Sequence, residues 1–263
     1  MEFFRFGLND YWIAVLTFIM LVTPAAFYIM ALMEGRLGRA MFGTALVLHA
    51  VSIAHRWAQL GWLPLTEKHD NISFMAFTVA LLYFYLDRGW ERQKGEGLLK
   101  QLQLYALPLV CALLFTAAMF MPINTISPFM QTPWFFVHSF FYFVSFALFA
   151  LAACLGTQYV ISGEGRYEVM QYRLLSYGWI LLSISLFAGS VWFYLAYGTY
   201  WLWTSKEMWI SITWLYVGLY LHARLMTRFR GVPAAVMGVL VFGVALFTYF
   251  GVGTVIPSPL TPF

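Results

Sequence analysis

The chain has 263 residues, of which 62% are hydrophobic, 20% aromatic and only 10% charged. That composition lies outside the soluble globular range and within that of multi-pass membrane proteins. The formal net charge of +4 is small and follows from a one-sided placement of basic residues, so it gives no reason to expect a nucleic-acid partner.

A helix needs about 20 apolar residues to cross roughly 30 Å of hydrocarbon. About eight runs meet this requirement, at 11–33, 39–62, 71–89, 102–122, 134–158, 174–198, 207–226 and 233–256. The expected fold class is therefore all-α: a polytopic membrane helix bundle, read as a single transmembrane domain over 1–263 with no soluble domain. Functional groups are then expected inside the bundle or at its two faces.

The first run follows Met1 to Asp10, where Arg5 is the one basic residue, and it is too long for a secretory h-region, so it is expected to be retained as a helix. The second carries His49 and His55. A separation of six positions is about 240° around a helix, so these two do not share a face. Arg56 follows directly. The loop Thr66-Glu67-Lys68-His69-Asp70 comes next, and His69 reads there as a solvated polar residue.

The fourth and fifth runs hold Cys111 and Cys154, which have no partner at metal or redox spacing and read as small core residues. His138 stands near the outer end of the fifth run and His222 in the inner half of the seventh. Trp12, Trp57, Trp62, Trp134 and Trp179 fit the aromatic belt at a membrane surface. Between the sixth and seventh runs, Trp201, Trp203 and Trp209 crowd around Lys206 and Glu207, with Trp214 further along. That cluster is denser than a belt requires.

Basic residues set the orientation. Arg36, Arg39, Arg88, Arg92, Lys94, Lys100, Arg166, Arg173, Arg224, Arg228 and Arg230 fall on one face, against Arg5, Arg56, Lys68 and Lys206 on the other. The positive-inside rule then places both termini and the 199–209 strip on the outer, periplasmic side of a bacterial cytoplasmic membrane.

Ionisable residues inside a bilayer are costly, which makes an intramembrane histidine a site hypothesis. Counted at about 1.5 Å per residue, His55 lies roughly 10 Å and His138 roughly 6 Å below the outer boundary, with His49 and His222 deeper. Two layers result, His49 with His222 below and His55 with His138 above. Imidazoles from opposite helices can ligate a haem iron from both sides of the ring. An isolated transition-metal site fits less well, because no intramembrane carboxylate or thiolate accompanies these histidines. The plainer alternative for each is a hydrogen bond between helices. Trp201, Trp203 and Trp209 offer broad π faces, and Lys206, or Arg56 in the upper layer, can pair with a propionate. Glu207 can equally well neutralise Lys206 in a solvated pair of little energetic consequence. There is no C-x-x-C-H motif in the sequence, so haem is expected to be non-covalent and b-type, one or two per chain.

The stretch Tyr197-Gly198-Thr199-Tyr200-Trp201-Leu202-Trp203-Thr204-Ser205-Lys206-Glu207-Met208-Trp209, followed by Tyr220-Leu221-His222-Ala223-Arg224, resembles the tryptophan-rich strip W-G-x-Y-W-x-W-D-P-K-E-x-W and the Y-L-H-x-R that follows it in the CcsA-type, system II family of cytochrome c assembly. Pro133 to His138, Phe247 to Val252, and Leu63-Pro64-Leu65 with Asn71-Ile72-Ser73 resemble further segments of that family. The resemblance implies His138 as an axial ligand at an outer haem site and His222 as a ligand of an intramembrane site. It also implies Trp201, Trp203, Lys206, Glu207 and Trp209 as a haem platform. Two departures stand out: Thr204-Ser205 replaces the family's Asp-Pro pair, and Gly253 to Leu260 lacks the outer histidine expected after the last helix.

The expected function is delivery of haem to the outer face for attachment to apocytochrome c, together with a membrane-anchored partner bearing an outer domain. If enzymatic, the chain would form part of a holocytochrome c synthase. The alternative is a di-haem b electron-transfer subunit linking a quinone pool to an outer c-type cytochrome, within a quinol-cytochrome oxidoreductase complex.

Overall fold

The computed structural model describes residues 8–33, 35–94, 98–120 and 127–252. Arg5, the start of the chain up to Gly7, and the Gly253 to Leu260 stretch lie outside the described residues, as do the side chains of Arg88, Arg92, Lys94 and Lys100. Regular structure among the described residues is helical: α1 Leu8–Met30, α2 Gly35–Leu60, α3 Lys68–Lys94, α4 Leu98–Ala118, α5 Pro133–Ser162, α6 Gly165–Tyr197, α7 Ser205–Ala223 and α8 Val232–Leu246. Among the described residues, five segments are long and apolar enough to cross a membrane: Trp12–Met30, Arg36–Leu60, Pro133–Ser162, Gly165–Tyr197 and Val232–Gly251. The protein is a multi-pass membrane protein. Each helix starts before its apolar run, α6 most clearly, because backbone bonding carries the helix through polar turns such as that of Arg166 and Glu168.

The chain forms two compact units, Met1–Ser127 and Pro128–Phe263. In the first, α1 packs on α2 and α4, and α3 on α4 and α2. His69, expected in solvent, is only 1% exposed. It belongs to the first turn of α3, where Nδ1–H donates to the carbonyl of Ala117 across 3.0 Å. A long-range acceptor on α4 overrides the polar character of the surrounding sequence.

In the second unit α5 is the central helix, with α6 and α8 packed along it and α7 against α6 and α8. Thr132 caps its start by accepting the Phe135 N–H at 3.2 Å, Pro133 occupies the first turn, and Gly163 ends it at φ +72°. Gly198 ends α6 at φ +74°, and Gly231 opens α8 at φ +86°. The chain after α8 continues through a π-helical turn, Phe247–Gly251. Trp179, expected in the aromatic belt, also packs between helices. It lies midway along α6, stacks on Trp214 at 5.1 Å and donates to the Trp214 carbonyl at 3.1 Å, while Trp214 Nε1 donates to Ser183. The two indoles hold α6 to α7, so Trp214 serves helix packing.

Candidate functional site

Helices α5 to α8 run alternately up and down. The start of α5, the end of α6, the strip, the start of α7 and the π-helical turn after α8 therefore gather at one end of the second unit. His138 is set there by α6. Its Nδ1 lies 2.9 Å from the Ser185 carbonyl, and Ser185 Oγ donates to the His138 carbonyl at 2.8 Å. A carbonyl only accepts, so Nδ1 carries the proton and Nε2 the lone pair, the tautomer required of an Nε2 metal ligand. Trp192 stacks on the imidazole with centroids 6.1 Å apart and planes 13° from parallel. Its own Nε1–H is anchored on the Phe129 carbonyl at 2.7 Å. Ser185, Gly189 and Trp192 recur at helical spacing, a small-small-aromatic stripe on α6 that sequence reasoning passed over.

The strip is built by capping. Thr204 accepts the Glu207 N–H at 3.3 Å, and Glu207 Oε2 accepts the Thr204 N–H at 2.7 Å. This is a capping box, legible as T-x-x-E in Thr204 to Glu207. Glu207 also accepts the Leu202 N–H at 3.0 Å. Its carboxylate is turned toward the backbone. Trp201 and Trp203 meet edge to face at 6.2 Å, and Trp203 is 73% exposed. Trp209 is held edge to face against Phe247 of the π-helical turn at 4.6 Å. Lys206 is exposed in the first turn of α7.

His222 lies toward the opposite end of α7, exposed, with Nδ1–H donated to the Gly218 carbonyl at 2.8 Å. It too presents Nε2 as the lone-pair nitrogen. Two residues on, Arg224 forms an ion pair with Glu168, which also accepts the Gly231 N–H at 2.7 Å. One carboxylate thus ties α6 to the end of α7 and the start of α8.

In the first unit His49 is fully buried, with Nδ1 3.3 Å from the Tyr28 hydroxyl and Nε2 3.1 Å from the Ser73 hydroxyl. It joins α1, α2 and α3, and ligation would require exchanging one of these bonds. His55 is half-buried, with Nε2 2.9 Å from Gln59 on the same helix. Arg56 is 2% exposed and makes two hydrogen bonds to Asp70, at 2.7 and 3.2 Å. Sequence reasoning did not pair these two, which lie fourteen positions apart across the α2–α3 turn. The layers inferred from sequence, His49 with His222 and His55 with His138, each take one residue from either unit. Among the described residues no three His, Cys, Asp or Glu side chains group to hold a bare metal ion.

The family model described as Cytochrome C assembly protein matches residues 62–259 of this chain. The chain is similar to the cytochrome c biogenesis protein CcsA of Chlamydomonas reinhardtii, 26% identical over 237 residues that cover 82% of this chain and 65% of that protein. It is also similar to CcsA of Synechococcus sp. (strain JA-2-3B'a(2-13)), 25% identical over 289 residues, 81% of this chain and 80% of the relative. With CcsA of Citrus sinensis it shares 41% identity over 93 residues, 33% of this chain and 29% of that one. The chain belongs to the cytochrome c assembly protein family and is of the CcsA type. The matched region contains His138, the strip and His222, and begins beyond His49, His55 and Arg56.

Proposed function

We propose that this protein handles haem for cytochrome c maturation, accepting it within the membrane and presenting it at the outer face to apocytochrome c. In this reading it sits in a bacterial cytoplasmic membrane with about eight spans and both termini outside. Haem is cargo. His222 ligates it at the intramembrane site and His138 at the outer one. Trp201, Trp203 and Trp209 supply planar faces, and Lys206 pairs with a propionate. Within the first unit His49 and His55 are further candidate ligands, His49 on giving up a hydroxyl bond and His55 on giving up Gln59 or using Nδ1. Attachment is an addition: each apocytochrome thiol S–H adds across one vinyl C=C, so a C–S and a C–H bond form with no external oxidant. The chain's contribution is to orient the vinyl groups toward the thiols. A membrane-anchored partner with an outer domain would hold the apoprotein.

The observation that carries this reading is His138, its Nδ1–H fixed on Ser185 so that Nε2 holds a lone pair, at the same end of the unit as the strip. Fit to haem rests on that donor and on the exposed indole of Trp203. The competing reading, permanent haem b groups passing electrons between quinol and an outer cytochrome, is favoured by two departures from the family, the missing outer histidine after the last helix and the loss of the Asp-Pro turn. The capping box at Thr204 and Glu207 replaces that turn and weakens the second of these.

A reduced-minus-oxidised spectrum of the purified protein, taken before and after adding reduced apocytochrome, decides between the two. Haem lost to apocytochrome supports delivery. Stoichiometric haem with reversible potentials, indifferent to apocytochrome, overturns it.

A further inference from the structure

Trp203 has φ +58° and is the one non-glycine among the described residues with positive φ. The left-handed region is unfavourable for a large side chain, so something must hold it there. The bond pattern around Glu207 identifies the restraint. Its carboxylate accepts the Leu202 N–H (3.0 Å to Oε1, 3.3 Å to Oε2) and the Thr204 N–H (2.7 Å to Oε2). Those two amides flank Trp203.

A capping box accounts for the Thr204 bond alone. The Leu202 bond lies outside it, and together the two bridge Trp203. The loop is braced upstream as well, where Gly198 donates to the Tyr194 carbonyl at 2.8 Å and Thr199 Oγ1 to the Trp201 carbonyl at 3.1 Å.

We propose that Glu207 is a positioning residue. Its carboxylate clamps the amides on either side of Trp203, locks the left-handed backbone and fixes the exposed indole as a ready-made face for a flat macrocycle of the porphyrin class. The ligand class rests on the haem-handling reading; the clamp does not. A face fixed in advance adds affinity by removing the ordering cost that a mobile loop would meet on binding. The carboxylate is spent on backbone amides and makes no contact with the macrocycle. This distinguishes it from Lys206 beside it.

The test uses the full-length protein and the variants Glu207→Ala, Glu207→Gln, Trp203→Ala and the double Glu207→Ala/Trp203→Ala. Amide hydrogen exchange at Leu202 and Thr204 is followed alongside hemin titration by Soret absorbance. Both amides are expected to be protected in the parent and to lose protection in Glu207→Ala. Glu207→Gln keeps one acceptor oxygen and should fall between, which serves if the alanine variant does not fold.

Each single substitution should weaken hemin binding by about tenfold, and the double no further than Trp203→Ala alone. Exchange at Leu202 that is the same with and without the carboxylate overturns the clamp. Additive losses in the double variant overturn the positioning role, because Glu207 would then act on the ligand independently of Trp203. If the parent takes up no hemin, the haem reading fails while the exchange measurement still decides the clamp.

Discussion

Gly189 of α6 lies directly against the imidazole of His138: a Cβ at position 189 would stand 2.5 Å from Nδ1 and 2.9 Å from Cε1. Glycine is present because the ring occupies that space, and the ring is there because the Ser185 carbonyl one turn earlier on α6 holds its N–H. Gly189→Ala should displace the imidazole from that carbonyl. Overpacking costs of about 1–3 kcal/mol are expected, together with loss of the haem absorbance that depends on His138, the same loss expected of His138→Ala. Ser185→Ala keeps the backbone acceptor and should cost only about 1 kcal/mol. Thermal denaturation and the haem difference spectrum of the two variants check this. A normal spectrum from Gly189→Ala would remove His138 from the ligand set.

Arg56 and Asp70 form a pair with side chains only 3% and 1% exposed. Removing one partner strands the other. Asp70→Asn should destabilise the protein by about 3–5 kcal/mol, whereas the double change Arg56→Met/Asp70→Leu should recover most of that loss. The pair also bears on Arg56 as a propionate partner. With Nε and Nη2 committed to Asp70 and only Nη1 left without a partner, a structural role is expected for the guanidinium, and the double variant should bind hemin as the parent does. Detergent-solubilised melting curves and hemin titration separate the outcomes, and weakened binding with restored stability would return Arg56 to the haem site.

His69, just outside the apolar run 71–89, has its pKa held below the ordinary 6.5, chiefly by burial and further by Arg56, with Asp70 and the Ala117 carbonyl opposing. The folded state therefore keeps it neutral where the unfolded chain takes up a proton. Its contribution to stability is complete above about pH 6.5 and is lost as pH falls below that value, by at most about 1.4 kcal/mol per unit. His69→Asn, which can still donate to Ala117, should flatten this part of the pH dependence. A parent and variant with parallel stability profiles from pH 7.5 to 5 would contradict the assignment.

Local pattern carried much of this structure. Apolar runs marked the helices because helix length is tied to membrane thickness, and His138, His222 and the tryptophan strip stood out because charge and aromaticity are conspicuous in an apolar chain. What escaped were long-range partners. Nothing near His69 announces Ala117, and the acidic group for Arg56 comes from the far side of a turn. Nor does anything near Trp179 announce its partner Trp214 on α7. Trp203 was the least legible, since a bulky aromatic is a poor candidate for φ near +60° and the Glu207 bonds that flank it come from the following helix.

The Thr204-Ser205 pair stands where the family strip has Asp-Pro. Thr204 is the N-cap of α7 and Ser205 its first residue. Asp caps as well as Thr, and Pro is favoured at the first helical position because its missing N–H has no intrahelical partner there. The change therefore preserves the turn by other chemistry. Thr204→Asp/Ser205→Pro should leave stability within about 0.5 kcal/mol of the parent, and haem transfer to apocytochrome should be unaltered. Thr204→Ala removes the cap and should cost about 1 kcal/mol, with faster amide exchange at Glu207. If the Asp-Pro variant instead gains transfer activity that the parent lacks, the carboxylate has a chemical role that a hydroxyl does not fill, and the parent is better read as a haem-retaining relative.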